Sequence, residues 1–185
     1  MRVFRSSHSG ARTRLAAPVA LLCCALFASA TAAENASDPG DSYIGVWQLD
    51  GDASDPIGPL LEVMEAPWVA RKMADVMEPT LTITPLGDGL RIVNENPIQT
   101  TDTPMPADGV ERERKDPLGR KVVSSEVWND AGELVVTQQN YVDADRIVVI
   151  TSTWARVDDH LELRNRIDTD DGPMRIRRVF RAKTP

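Results

Sequence analysis

The sequence predicts an all-β protein: an antiparallel up-and-down β-barrel of about ten strands, with a short helix-turn-helix lid after the first strand. Three observations predict it. From Thr80 onward apolar residues recur with a period of two between turn motifs, LGDG (86–89), ENP (95–97), DPLG (116–119), NDAG (129–132), VDD (157–159) and DTDDG (168–172). A single helical stretch interrupts the chain, directly after the first strand. No helical periodicity separates the later strands, which points to hairpins closed into a barrel, with the helical pair across its mouth.

The chain opens on residues with a different task. Arg2, Arg5, Arg12 and Arg14 precede an apolar run from Leu15 to Phe27, and small residues follow, so residues 1–33 read as a signal peptide cut after Ala32 or Ala33. That run is short for a membrane span, which needs roughly 20 apolar residues. An exported product, periplasmic or secreted, is the expectation. Both cysteines, Cys23 and Cys24, lie inside the run, so the processed chain can form neither a disulfide nor a thiolate metal site. Cys24 as a lipid-attachment site is disfavoured because Cys23 stands where that signal has a small residue. Without residues 1–33 the chain keeps 17 of its 21 basic residues and all 28 acidic ones, a net charge of −11. Nucleic acid is excluded as a partner on that balance. Residues 34–41 read as a flexible acidic lead, and 42–185 as one domain with a single core.

The first strand follows in YIGVWQLD (43–50). Next, apolar residues at Leu60, Leu61, Val63, Met64, Trp68, Val69, Met73, Val76 and Met77 recur at helical spacing, predicting helices over 58–65 and 67–77. Pro67 can open the second in its first turn and Pro79 closes it. Among the strands, HLELRNRI is the cleanest. Leu161, Leu163, Asn165 and Ile167 share one face, while His160, Glu162, Arg164 and Arg166 take the other. The stretch holding Pro97, Pro104 and Pro106 predicts a weak or broken strand, since proline cannot donate to a ladder.

This order of elements resembles the fatty-acid-binding proteins of the calycin superfamily, which also holds the lipocalins. The resemblance rests on the Gly45-Val46-Trp47 strand and on WVARKMADVMEPTLTIT, where Trp68, Arg71, Lys72, Met73, Ala74, Pro79, Leu81 and Ile83 follow the family's second-helix pattern. A third match is the last strand, where Arg178, Val179 and Phe180 stand at the family's Arg-x-Tyr. The resemblance implies that Trp47 closes one end of the barrel, commonly against a basic residue of the last strand, and that Gly45 lets the strand bend. It implies a hydrophobic small molecule, a lipid or fatty acid, as ligand. It also implies transient membrane contact through Arg71 and Lys72, which by themselves read equally as a solvated helix face.

Strand alternation places Met174, Ile176, Arg178 and Phe180 on one face. A guanidinium among apolar neighbours is costly unless paired. Its partner is a ligand anion, an internal acid or the face of Trp47. Two departures shift the expected ligand toward less acidic lipids: Phe180 lacks the family's hydroxyl, and Trp154 stands about where the family has a second interior arginine. Phe180, Trp154 and Ile176 are then apolar wall, Ser152 and Asn165 can hold a head group or interior water, and Trp68 and Met73 partly face the ligand. Burial of some ten methylenes would supply roughly 8 kcal/mol, at about 0.8 kcal/mol each, before ordering costs.

No enzymatic function is expected. His160 is the one histidine after the leader and falls on a polar face, so no catalytic triad or histidine metal site can be built on it. The run Asp168, Asp170, Asp171, Gly172 reads as a hairpin turn rather than a calcium loop. No cofactor is implied, and a monomer is expected. The alternative function is an exported interaction or inhibitor module with a filled barrel, contacting its partner through Ile98 and Met105.

Overall fold

The computed structural model describes residues 38–116, 118–169 and 172–183. The leader, its cysteines, the start of the acidic lead, and Asp170 and Asp171 lie outside the described residues. Ala36–Pro185 forms one compact unit.

Ten strands form one antiparallel sheet in the order β4-β3-β2-β1-β10-β9-β8-β7-β6-β5. They are β1 (Gly45–Asp50), β2 (Thr80–Leu86), β3 (Gly89–Glu95), β4 (Thr100–Met105), β5 (Arg112–Lys115), β6 (Lys121–Trp128), β7 (Leu134–Tyr141), β8 (Ile147–Val157), β9 (His160–Thr169) and β10 (Gly172–Ala182). Every neighbour in that order except β1 and β10 is also a neighbour in sequence, which is the expected meander. β1 pairs with β10 in the register Trp47↔Ala182 and Leu49↔Phe180, joining the two ends of the chain.

The sheet curls without closing. β4 and β5 are its two edges, and no ladder joins them. This is the proline-rich stretch predicted to be broken. Pro104 lies within edge strand β4, where its missing N–H costs nothing. Side chains and single bonds take the place of the ladder. Arg114 Nη1 donates to Pro104 O at 3.4 Å, and Gly109 N donates to Glu126 O at 2.8 Å.

Two helices follow β1, α1 (Gly58–Val63) and α2 (Trp68–Val76). Both agree with the sequence expectation to within two residues at each end. Pro67 stands just before α2 as its cap. α1 ends in a left-handed turn at Glu65, φ 53°, with Ala66 N donating back to Leu61 O at 2.8 Å. Two arginines then satisfy carbonyls at that end: Arg120 Nη1 donates to Met64 O at 2.7 Å, and Arg146 Nη2 donates to Val63 O. α1 is thereby strapped to the β5–β6 and β7–β8 turns. Asp75 of α2 accepts from Gly58 N at 2.8 Å, which ties the helices to each other.

The core has two parts. Tyr43, Trp47, Leu49, Leu81, Ile83, Leu134, Trp154, Leu161 and Phe180 are among the larger cluster. Val142, Val148, Ile150 and Ile167 form a smaller one, covered by Leu60, Val63 and Met64 of α1. Each fully buried side chain of this kind contributes roughly 1.5–3 kcal/mol.

One sequence expectation is corrected here. The acidic lead does not stay flexible to residue 41, because Pro39–Tyr43 forms a 3-10 helix capped by Asp38, whose carboxylate accepts from Gly40 N at 2.9 Å. Tyr43 is then fully buried, with its hydroxyl within hydrogen-bonding reach of Gly132 O at 3.0 Å and Trp154 O at 3.1 Å. The ordered domain starts by Asp38.

Gly89 opens β3 where the backbone of β4 runs closest. A Cβ there would lie 2.0 Å from Met105 O and 2.6 Å from the Pro106 carbonyl carbon. Gly89→Ala is expected to destabilise the fold by about 3 kcal/mol. Gly51→Ala, whose Cβ would meet nothing within 4 Å, should stay within about 0.5 kcal/mol of the parent in the same urea titration.

Candidate functional site

Period-two alternation on β6 to β10 sends a polar residue inward from each strand. Ser124 and Glu126 (β6), Asn140 (β7), Ser152 (β8), Asn165 (β9) and Arg178 (β10) are all buried. Most of them find partners. Ser152 Oγ donates to Asn165 Oδ1 at 2.7 Å across the register that pairs these two residues. Asn140 Nδ2 donates to Val148 O at 3.3 Å. Glu126, 0% exposed, receives Ser124 Oγ at 2.9 Å and the guanidinium of Arg114 at 2.5 Å on one oxygen.

Arg178 is the exception. It is 7% exposed, its Nε has no hydrogen-bond partner, and it makes no ion pair among the described residues. Burial pulls its pKa below the ordinary guanidinium range, while the charges of Asp75 and Asp55 pull it back. The group remains charged at neutral pH. β10 fixes the direction of this side chain, and Asp55, whose N–H donates to Arg177 O at 2.8 Å and whose carboxylate accepts from Arg177 N at 2.8 Å, brings the segment before α1 alongside it.

The face of Trp47 is not the partner of Arg178. The guanidinium of Arg156 on β8 lies 4.9 Å from the centre of the Trp47 ring, and Trp47 Nε1 donates to Tyr43 O at 2.9 Å. The basic residue that packs on Trp47 therefore comes from β8 rather than the last strand. Gly45, with φ 147°, occupies a backbone region that side chains rarely adopt, as its bending role requires.

Trp154 and Phe180 both point inward and pack on each other, ring centres 6.0 Å apart. Ile176 is buried on the same face as Arg178. Trp68 and Met73, expected partly to face the ligand, stand outward instead, 62% and 41% exposed. Pro67 and the strap on α1 set the pitch of α2, and no residue of α2 is buried. Arg71 pairs with Glu62 at 3.0 Å, and Lys72 makes no ion pair among the described residues. Met105, expected on an exposed loop, is buried in the core, since the broken strand still turns its last residue inward. Ile98 is exposed.

A cleft of about 880 Å³ opens between β4 and β5 and reaches inward to Val122, Gln138 and Asn140. It does not touch Arg178. Of its lining charges, Arg112 is matched by Asp108 and Arg114 by Glu126, while Lys115 makes no ion pair among the described residues. The sequence reading missed Ser124, Glu126, Arg114 and Arg156. The alternation of KVVSSEVW, with Val122, Ser124 and Glu126 on one face, carried a signal for the first two.

The geometry invites comparison with solved structures. The fatty-acid-binding protein of Schistosoma mansoni in complex with arachidonic acid superposes with a TM-score of 0.66 at 19% identity, over 79% of this chain and 99% of that one. The chain has the fatty-acid-binding-protein fold. Fatty-acid-binding protein 1 of Echinococcus granulosus gives 0.62 at 19% identity over 77% and 98%, and human cRBP IV gives 0.62 at 19% over 76% and 97%. No protein-family model and no curated protein matches the sequence. In the fatty-acid-binding-protein fold seen here, Arg178 is on the last strand, facing the interior. Among the described residues, no helix is long and apolar enough to cross a membrane, and no group of three or more His, Cys, Asp or Glu is placed to hold a metal ion.

Because Arg156 braces Trp47 and Arg178 does not, the two arginines separate experimentally. Arg156→Ala is expected to lower stability by about 2 kcal/mol, the scale of a desolvated cation–π contact. Arg156→Lys should restore part of it in chemical denaturation.

Proposed function

We propose that this protein binds a hydrophobic small molecule, a lipid or fatty acid, inside the β-barrel without catalysing its conversion, and that Arg178 holds the polar end. The observation that carries this reading is a charged guanidinium buried among apolar side chains with no ionic partner. Leaving such a group unpaired is costly, and a ligand head group removes the cost. Trp154, Phe180 and Ile176 supply apolar surface near it, and the Ser152–Asn165 pair offers further polar atoms on the same inner face. The protein similar in fold from Schistosoma mansoni, by its title, holds arachidonic acid.

The head group itself is read from what surrounds Arg178. Phe180 brings no hydroxyl, Trp154 stands about where the family has a second interior arginine, and Arg156 is engaged by Trp47. Asp75 and Asp55 also partly offset the charge an anion would meet. A fatty alcohol or an isoprenoid therefore competes well with a fatty acid. The leader implies that binding takes place after export, in the periplasm or outside the cell, by a monomer. Membrane contact at the lid is transient and rests on Trp68, Val69, Met73 and Val76, which α2 exposes around Lys72, rather than on the paired Arg71.

Native mass spectrometry of the freshly purified protein should show a reproducible added mass that organic solvent releases. Arg178→Ala is expected to weaken a long-chain fatty acid about tenfold, which corresponds to about 1.4 kcal/mol, and the alcohol of equal chain length no more than about twofold. Equal losses for the two ligands, or a parent chain that takes up neither, would rule against Arg178 as the anchor.

A further inference from the structure

The outer wall of β9 and β10 carries an arrangement that the interior site does not use. Arg166 stands directly opposite Arg175, and Arg164 directly opposite Arg177. All four side chains point outward and are exposed. The result is a two-by-two array of guanidinium groups, about 5 Å apart across the strands and about 7 Å along them. Like charges placed directly opposite each other on a sheet are destabilising, so this spacing works against the fold.

Nearby carboxylates do not cancel the array. Glu162 serves Arg177 at 2.5 Å and Arg164 at 4.0 Å, Glu133 reaches Arg164, and Asp168 pairs with Arg166 at 3.0 Å. Glu162, Glu133 and Asp168 pair with three of the four arginines, Asp55 adds its charge beside Arg177, and Arg175 has no ion pair among the described residues. The imbalance is local. Leaving out the inward Arg178, residues 160–183 hold six basic and four acidic residues, a net +2 in a chain whose total is −7.

The rest of the wall indicates what meets it. Across β8, Thr151 lies beside Arg166 and Thr153 beside Arg164, and further along the same outer face Ile147 and Val149 are exposed. The β9–β10 turn lies near the lid, where a groove runs between Val63 of α1 and Thr169, Gly172 and Met174. We infer that this wall is a docking face for an anionic lipid surface, with the four arginines on head-group phosphates and Ile147 and Val149 dipping into the interfacial layer. A long nucleic acid fits poorly, because the patch spans only two strands and the remaining chain repels a polyanion. A lipid surface needs only this footprint and accepts apolar side chains beside basic ones. The inference stands apart from the internal ligand and does not require it.

The test is co-sedimentation of the protein, as its host processes it, with vesicles of phosphatidylcholine alone or with one third phosphatidylglycerol, at low and high salt. Salt-sensitive binding is expected only to the anionic vesicles. The double variant Arg166→Gln, Arg175→Gln should lose roughly tenfold or more in affinity, on the scale of two basic residues at an anionic surface. Arg71→Gln with Lys72→Gln should lose little. Circular dichroism of the Arg166, Arg175 variant, expected to match the parent, and a melting temperature equal to or above the parent's, since the like-charge pair is relieved, separate a docking loss from misfolding. Arg178→Ala should dock normally, so failure of the interior site and failure of the docking face give different results. Absence of anionic-vesicle binding in the parent, a loss confined to the α2 pair, or array-dependent binding of single-stranded DNA in place of vesicles would overturn the inference.

Discussion

An antiparallel sheet of ten strands must do something with its two edges, and here β4 and β5 face each other without pairing. Every backbone group along those edges needs a partner from water or from side chains. Arg114 reaches across to a β4 carbonyl while its other end is fixed by Glu126, and the loop between the strands leans on β6 through the Asp108↔Val127 bridge and the Gly109 amide. The buried acid, which looks out of place in an apolar interior, is what holds that arginine at the gap. Buried polar side chains thus run through the interior beside the two apolar clusters, while Arg178 lies in register with Leu163 and Trp154.

Two inward arginines with different surroundings divide the interior between them. Arg156 is spent on Trp47, whose indole in turn ties back to Tyr43, so one end of the barrel is braced by a chain of contacts running from the first ordered turn to β8. Arg178 has Ile176 and Phe180 on its own strand and two acids near enough to be felt but not bonded. Identical residue types thus sit in different surroundings, and the presence of a flat aromatic partner distinguishes them.

Much of this was legible in the residues, because period-two alternation and turn chemistry leave little freedom in a meander. The helices, the strand count, the broken proline stretch and the inward face of β9, down to Asn165, all follow from spacing alone. The site was legible only in part. Alternation could say that Arg178 faces inward, but not that Trp47 would be met by Arg156 of β8. Trp68 and Met73 illustrate a second limit. Helical periodicity identifies an apolar stripe but not its direction, and the orientation of α2 is set by contacts far away in sequence, Arg120 and Arg146 on α1 and Asp75 on Gly58. Tyr43 was hidden in a different way, behind an acidic, loop-like lead whose Asp38 turned out to be a cap.

The pairing of β1 with β10 has a kinetic meaning. Trp47 meets Ala182 across some 130 residues, so the first strand has no partner on one side until nearly the whole chain exists. Closing a loop of that length is slow compared with forming the neighbouring hairpins. β2 can zip to β3, and β6 through β10 can assemble as a run of local hairpins, while the β1 edge with Leu49 waits. A chain that stops short of β10 therefore leaves the edge of β1 without its ladder.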